Sequence, residues 1–365
     1  MTERPAFVLL EDGTWYRGTT RGPAGLSFGE VVFTTSLTGY QETFTDPSYN
    51  GQIVVMTAPM IGNYGVTAAD MESERPQVAG VVVRELARHH SSWRATGGLS
   101  EWLAESGIPV LEGVDTRRLT RHIRERGAMR GMIAEGTQPT EDHRAKLLAS
   151  PTMEGLDLAS QAGTKEPYGD GGGGKGPHVV ALDFGMKRNI VRMLAQAGCR
   201  VTVLPANSTA QDIQSRKPDG LFLSNGPGDP GALTNAISTI RTVASSGLPT
   251  FGICLGHQLL GWAFGGHTVK LPYGHRGGNH PVKDLVSGRV LITSQNHGFA
   301  VAGTTEGVPG APDLEVTHLN LNDGTVEGIR HRTLPVFAVQ YHPEAAPGPH
   351  DAFPHFGEFL KLMGG

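Results

Sequence analysis

Cysteine is scarce in this chain, with only Cys199 and Cys254 among 365 residues. Two cysteines cannot build a disulfide framework or a cysteine-rich zinc site, so a reducing, cytoplasmic setting is expected. Long apolar runs are missing as well. No stretch approaches the ~20 apolar residues of a membrane helix. The apolar run at 6–10 is too short for a signal-peptide core and meets Glu11 at once. Basic charge is not in excess: 31 Lys and Arg stand against 35 Asp and Glu, a net charge of −4 that gives no reason to expect nucleic-acid binding. The phosphate-loop pattern G-x-x-x-x-G-K-S/T is absent, and the run at 171–175 does not match it. Fifteen histidines are present, but none stands in an H-E-x-x-H or comparable cluster, so no metal is expected.

What is present suffices for about two domains at roughly 100–200 residues each. Hydrophobic residues make up 38% and charged residues 18%, enough apolar material for real cores. Composition breaks once, at 163–177 (GTKEPYGDGGGGKGP), where four consecutive glycines occupy 171–174. Such a stretch cannot offset its own ordering entropy. The expected division is therefore an N-terminal domain over 1–150, a flexible linker over 151–177 and a C-terminal domain over 178–365.

The N-terminal part reads as a β-rich α+β domain. Strand-like runs at 6–10, 30–35, 52–56 and 78–83 are separated by Gly- and Pro-containing turns. Helices are expected at 99–106 and 116–126, the second with Asp115 or Thr116 as N-cap and Gly127 as stop. On it Arg117, Arg121 and Arg124 share one face, which reads as a solvated face or as a docking surface for an acidic partner. A polar helix is expected within 136–162. The C-terminal part alternates strands at 178–184, 200–204, 220–224 and 249–254 with helices at 187–197, 209–215 and 233–246. That rhythm predicts an α/β fold, an open and mostly parallel sheet with helices on both faces. Working groups in such sheets sit at the carboxyl ends of strands, here at 225–231, 254–258 and 342–344.

Gly252-Ile253-Cys254-Leu255-Gly256-His257-Gln258 joins an apolar strand to a helical pattern. This is the context of a nucleophile elbow, with cysteine where hydrolases place serine. The sharp turn demands glycine on both sides. The helix start puts N–H donors and a partial positive charge beside the sulfur, which favours a thiolate and can hold an oxyanion. An isolated cysteine would read as a small buried hydrophobe; the surrounding motif argues otherwise. The base is expected at His342, because His342-Pro343-Glu344 caps the apolar run 336–341 and residues i and i+2 of an extended chain share a face. Glu344 would then orient His342 in a Cys–His–Glu arrangement. Ser224-Asn225-Gly226-Pro227-Gly228-Asp229-Pro230 by itself reads as a tight turn, and Gln295-Asn296-His297-Gly298-Phe299 as a hairpin or loop after a strand at 290–293.

Taken in order, these pieces resemble a class I (triad) glutamine amidotransferase domain. With S-N-G-P-G-D-P, G-H-R-G-G-N-H-P-V at 274–282 and S-Q-N-H-G-F-A-V, the resemblance narrows to the small, glutamine-hydrolysing chain of carbamoyl-phosphate synthase. L-E-D-G-T, F-T-T-S-L-T-G-Y-Q-E-T-F-T-D-P-S-Y at 33–49, I-G-N-Y-G and G-V-D-T-R-R-L-T-R carry the same resemblance through the N-terminal part. It implies Cys254 as nucleophile, with His342 and Glu344 completing the triad. It implies oxyanion-hole amides at Leu255 and Gly228, and L-glutamine held by Gln258, Gly226, Asn296, Gly298 and Phe299, with Ser48 contributed by the N-terminal domain. It further implies a large synthetase subunit as partner, with ATP and magnesium used there and no cofactor in this chain, serving arginine and pyrimidine synthesis. Two other readings remain open: the same glutaminase chemistry serving a different ATP-dependent synthetase, and an inactive amidotransferase fold acting as a regulatory module.

Overall fold

A computed structural model describes residues 3–21, 25–169, 176–345, 347–349 and 351–364. They fall into two compact units, Met1–Leu156 and Asp157–Gly365.

The first unit is built on a seven-stranded mixed sheet. Its middle is a parallel ladder of Ser27–Thr34, Gln52–Met56 and Gly80–Val82. Val31, Val32, Ile53, Val54, Val55, Val81 and Val82 are fully buried there. Strands buried on both faces need such continuous β-branched runs. Arg4–Leu10 joins antiparallel through Met129–Glu135. The helix Thr116–Arg126 starts where Asp115 accepts a bond from the Arg118 N–H at 2.9 Å, and it ends at Gly127 with φ 96°. Leu119 and Ile123, one turn apart, face the core, leaving Arg117, Arg121 and Arg124 exposed. The polar helix is Glu141–Ala149, opened by a Thr140 capping box.

The second unit carries a nine-stranded sheet. Five strands are parallel: Arg200–Pro205, His178–Asp183, Gly220–Leu223, Thr250–Ile253 and Val336–Val339. Helices Arg188–Gln196, Ala210–Ser215, Thr234–Ala244 and Leu255–Ala263 alternate with them. Two apolar clusters pack on the sheet. One is centred on Leu182, Leu223 and Leu260; the other is centred on Phe222, Phe251 and Phe359. Four antiparallel strands then extend the sheet through Val326–His331, Leu314–Asn320, Thr268–Asp284 and Val290–Val301. Of this half of the sheet the sequence pattern predicts only a strand at 290–293, the start of Val290–Val301.

The segment expected to be a linker is a correction in part. Ala159–Ala162 is helical and Ala159 is fully buried in the second unit's core. The Thr164 N–H donates to Asp183 Oδ2 at 2.9 Å, and Tyr168 bridges to Val203. An apolar residue and a buried acceptor thus fix backbone that composition alone marks as loose. The glycine run itself lies outside the described residues.

Candidate active site

The strand Thr250–Ile253 lies between two parallel neighbours, and all four of its residues are buried. At its carboxyl end Cys254 takes φ 54° and ψ −102°, and Leu255–Ala263 begins at the next residue. A non-glycine residue held there costs about 1–3 kcal/mol, which persists only when the surroundings over-determine it. They do so here. The Cys254 N–H donates to Val339 O at 2.9 Å and the Gly256 N–H to Ser224 O at 3.0 Å. A Cβ on Gly256 would lie 2.3 Å from the Leu223 carbonyl oxygen, and one on Gly252 2.7 Å from the Gly256 carbonyl carbon. Both positions must be glycine for the elbow to close. Leu255, first in the helix, presents an N–H with no carbonyl one turn back to accept it.

The Cys254 sulfur is almost fully buried, 3.6 Å from Asn296 O. His342 stands beyond the end of Val336–Val339, tied by its N–H to Ser294 O at 2.9 Å. Its Nδ1 bonds Glu344 Oε1 at 2.6 Å. The pairing expected between the two residues is present, but the chain has left extended conformation by then: it turns, and Ala345 follows with φ 40°. Nε2 of His342 has no aligned hydrogen-bond partner among the described residues.

Sequence reasoning missed a fourth group. Lys187 Nζ lies 3.0 Å from Glu344 Oε1, with both side chains buried. Lys187 is positioned by the turn after His178–Asp183. There Asp183 Oδ1 accepts the Gly185 and Met186 N–H groups, and Asn225 Oδ1 accepts that of Lys187. The signal was a lysine in D-F-G-M-K just past a buried strand, where the fold class places chemistry.

The electrostatics follow from this cluster. Burial and the Lys187 ammonium oppose charge on His342, but Glu344 and Cys254 outweigh them and push the imidazole up to about 10. Burial opposes ionisation of Glu344, yet Lys187 and His342 hold it down at about 2. The site therefore keeps a carboxylate and an imidazolium in a water-poor interior, with the charged ring beside the sulfur. His257, next to the elbow, is different: burial lowers it to about 3.

Around this centre Gln258 Nε2 donates to Phe299 O at 2.7 Å and to Gln340 Oε1 at 3.1 Å. Asn296, Gly298 and Phe299 sit within the continuous strand Val290–Val301, a correction to the hairpin or loop expected of them. The antiparallel partner Thr268–Asp284 supplies the ladder that makes it strand. Gly226 packs so closely that a Cβ would meet Phe184 O at 2.2 Å and Leu255 Cδ2 at 2.9 Å. Gly228 has φ 92° in the same loop. The structure thus gathers Cys254, His342, Glu344, Leu255, Gln258, Asn296 and Phe299, with Gly226 against Leu255. Ser48 belongs to the first unit, buried in the turn Pro47–Tyr49, with its N–H on Asp46 Oδ1.

Among the described residues no helix is long and apolar enough to cross a membrane. Residues 180–362 match the family Glutamine amidotransferase class-I, and residues 8–133 match Carbamoyl-phosphate synthase small chain, CPSase domain. The carbamoyl phosphate synthase small chain of Chlorobaculum tepidum is 54% identical over 365 residues, covering 100% of this chain and 99% of that one. That of Synechococcus sp. is 52% identical over 376 residues, covering 100% and 95%. That of Symbiobacterium thermophilum is 53% identical over 359 residues, covering 97% of each. With two matched domains in this order and identity above half along its whole length, the chain belongs to the family of carbamoyl phosphate synthase small chains.

Proposed function

We propose that this chain is the glutamine-hydrolysing subunit of a carbamoyl-phosphate synthase, releasing ammonia from L-glutamine through a thioester on Cys254. The observation that carries the reading is the elbow: a cysteine in strained backbone at a strand end, beside an imidazole that Glu344 and Lys187 fix in place.

In the proposed reaction the Cys254 thiolate attacks the side-chain amide carbon of glutamine. The Leu255 and Gly228 N–H groups receive the oxyanion. The His342 imidazolium gives its proton to the departing nitrogen, so ammonia leaves and a γ-glutamyl thioester remains. Neutral His342 then takes a proton from water as the hydroxyl adds to the thioester carbon. Collapse expels the thiolate and frees glutamate, restoring thiolate and imidazolium. Glu344 keeps the ring oriented through both halves, and Lys187 keeps Glu344 ionised. Gln258, Gly226, Asn296, Gly298 and Phe299 are proposed to hold the substrate.

Ammonia is proposed to pass to a large synthetase subunit that combines it with bicarbonate and ATP, using magnesium there, in the cytoplasm. No cofactor is assigned to this chain. In the assembled complex Cys254→Ser is expected to abolish glutamine-dependent synthesis while ammonia-dependent synthesis persists. Glutamine use retained by the variant would refute the assignment. Should the chain co-purify with a different ATP-using synthetase, the same site chemistry would stand and the partner would change.

A further inference from the structure

Away from the sulfur, the strands Thr268–Asp284, Val290–Val301 and Val326–His331 enclose a second cluster of titratable groups. His275 Nε2 lies 2.9 Å from Asp323 Oδ2, and its Nδ1 lies 3.5 Å from Glu327 Oε1. Glu327 is fully buried. Its Oε2 accepts from Gln295 Nε2 and its Oε1 from Asn320 Nδ2, both at 2.8 Å, and its carbonyl accepts the Gln340 N–H at 2.9 Å. His275, His297 and Glu327 offer ligand atoms within 4.8 Å of one another. The Asn320 amide donates to Glu327 and lies 3.4 Å from His275 Nδ1, while Nε2 of His297 has no hydrogen-bond partner among the described residues.

The cluster meets the strand of the proposed glutamine pocket at His297. His275 is paired across the ladder with His297, and their rings meet edge to face at 4.9 Å and 85°. His297 Nδ1 bonds Phe299 O at 2.7 Å. That same oxygen accepts from Gln258 Nε2. Asn296 and Gly298 flank His297 directly, and the Asn296 carbonyl touches the Cys254 sulfur.

We infer that His275 is a positioning residue for glutamine binding: clasped between Asp323 and Glu327, it braces His297 and so fixes the Asn296–Gly298–Phe299 strand against Gln258. The cation is what makes the clasp work. A neutral ring would leave buried Glu327 without a counter-charge, and breaking a buried pair is costly where replacing it whole is not. Of the groups facing His275, Asp323 and Glu327 favour its charge, whereas His280 and His297 are held neutral, chiefly by burial and by His275 itself. His275 touches no reacting atom. The inference rests on the glutaminase reading above and adds a residue to it.

The test measures two properties that a general loss of structure would move together. The first is L-glutamine affinity by calorimetry in the full-length Cys254→Ser background. The second is the rate at which iodoacetamide alkylates Cys254 in the otherwise wild-type chain. His275→Gln is expected to weaken glutamine binding about tenfold, with alkylation changed less than about twofold. Asp323→Asn, at a side chain 42% exposed, removes half the clasp without burying anything new and is expected to weaken binding about threefold. Unchanged affinity in both variants overturns the inference, and so does a parallel fall in affinity and alkylation. If the Cys254→Ser parent binds no glutamine and the wild-type chain hydrolyses none, the glutaminase reading itself fails and takes the inference with it.

Discussion

Replacing Glu344 by Gln removes one negative charge and almost no volume from the site. Glu344 is fully buried, and its Oε1 bonds both Lys187 and His342. Its pKa of about 2 in the folded protein compares with an unperturbed value of about 4.3 for glutamate. At 1.36 kcal/mol per unit that difference corresponds to about 3 kcal/mol of stability at neutral pH. The elevation of His342 to about 10 describes largely the same attraction from the other side and is not added to it. The sign differs for the two groups. A depressed carboxyl stabilises above its unfolded value and loses that contribution as pH falls towards 2. A raised imidazole stabilises below about 6.5 and loses its contribution as pH rises through about 10. The variant is therefore expected to melt about 6–12 °C lower than the wild type at pH 7, on the scale of a unit this size, and the gap should narrow towards pH 3. With the imidazolium no longer favoured or oriented, glutaminase turnover should fall by about 10²–10⁴. Differential scanning calorimetry from pH 3 to 8, beside a glutamate-release assay, reads both. A melting difference that does not change with pH, or a variant of near wild-type turnover, would refute the electrostatic account.

Three further outcomes follow from other parts of the structure. Lys187→Met should raise the Glu344 pKa and lower turnover more than tenfold, with the acid limb of the pH–rate profile moved to higher pH; an unmoved acid limb would show that the ammonium does not act on the carboxylate. Gly256→Ala puts a Cβ 2.3 Å from a backbone oxygen, so the helix start must shift; a clear fall in melting temperature and lost Cys254 reactivity are expected, and unchanged values would contradict the elbow geometry. Exchanging Arg117, Arg121 and Arg124 for Ser should change stability by less than about 0.5 kcal/mol each, because all three side chains are solvated; a larger loss by denaturant titration would mean that the face is structurally engaged.

How much of this could be read from the chain depends on what kind of force holds each part. Local signals were reliable. Gln52–Met56 and Thr116–Arg126 appear with the boundaries their patterns predict, since β-branched runs and an Asp cap with a Gly stop act within a few residues. The parallel strands of the second unit and the elbow at Cys254 were legible for the same reason. Elements fixed by distant partners were not. Met129–Glu135 sits between two strands more than 90 residues earlier in sequence, and its R-G interruption hides its period. Thr268–Asp284 runs for 17 residues through glycines, histidines and two prolines that no strand propensity favours; its ladder with Val290–Val301, broken by register shifts, holds it in place. In the site, Cys254, His342 and Glu344 were legible because their motifs carry chemistry. Lys187 was not, because its meaning depends on a carboxylate 157 residues away.

The central claim is that the sulfur of Cys254 carries the glutamyl group. The most direct measurement is acid quench of the chain within the first turnover of L-glutamine, followed by mass spectrometry of its peptides. A γ-glutamyl adduct on the peptide holding Cys254, absent from Cys254→Ser, is the expected result. Steady release of glutamate with no adduct on Cys254, or with the acyl group on another residue, would contradict the account.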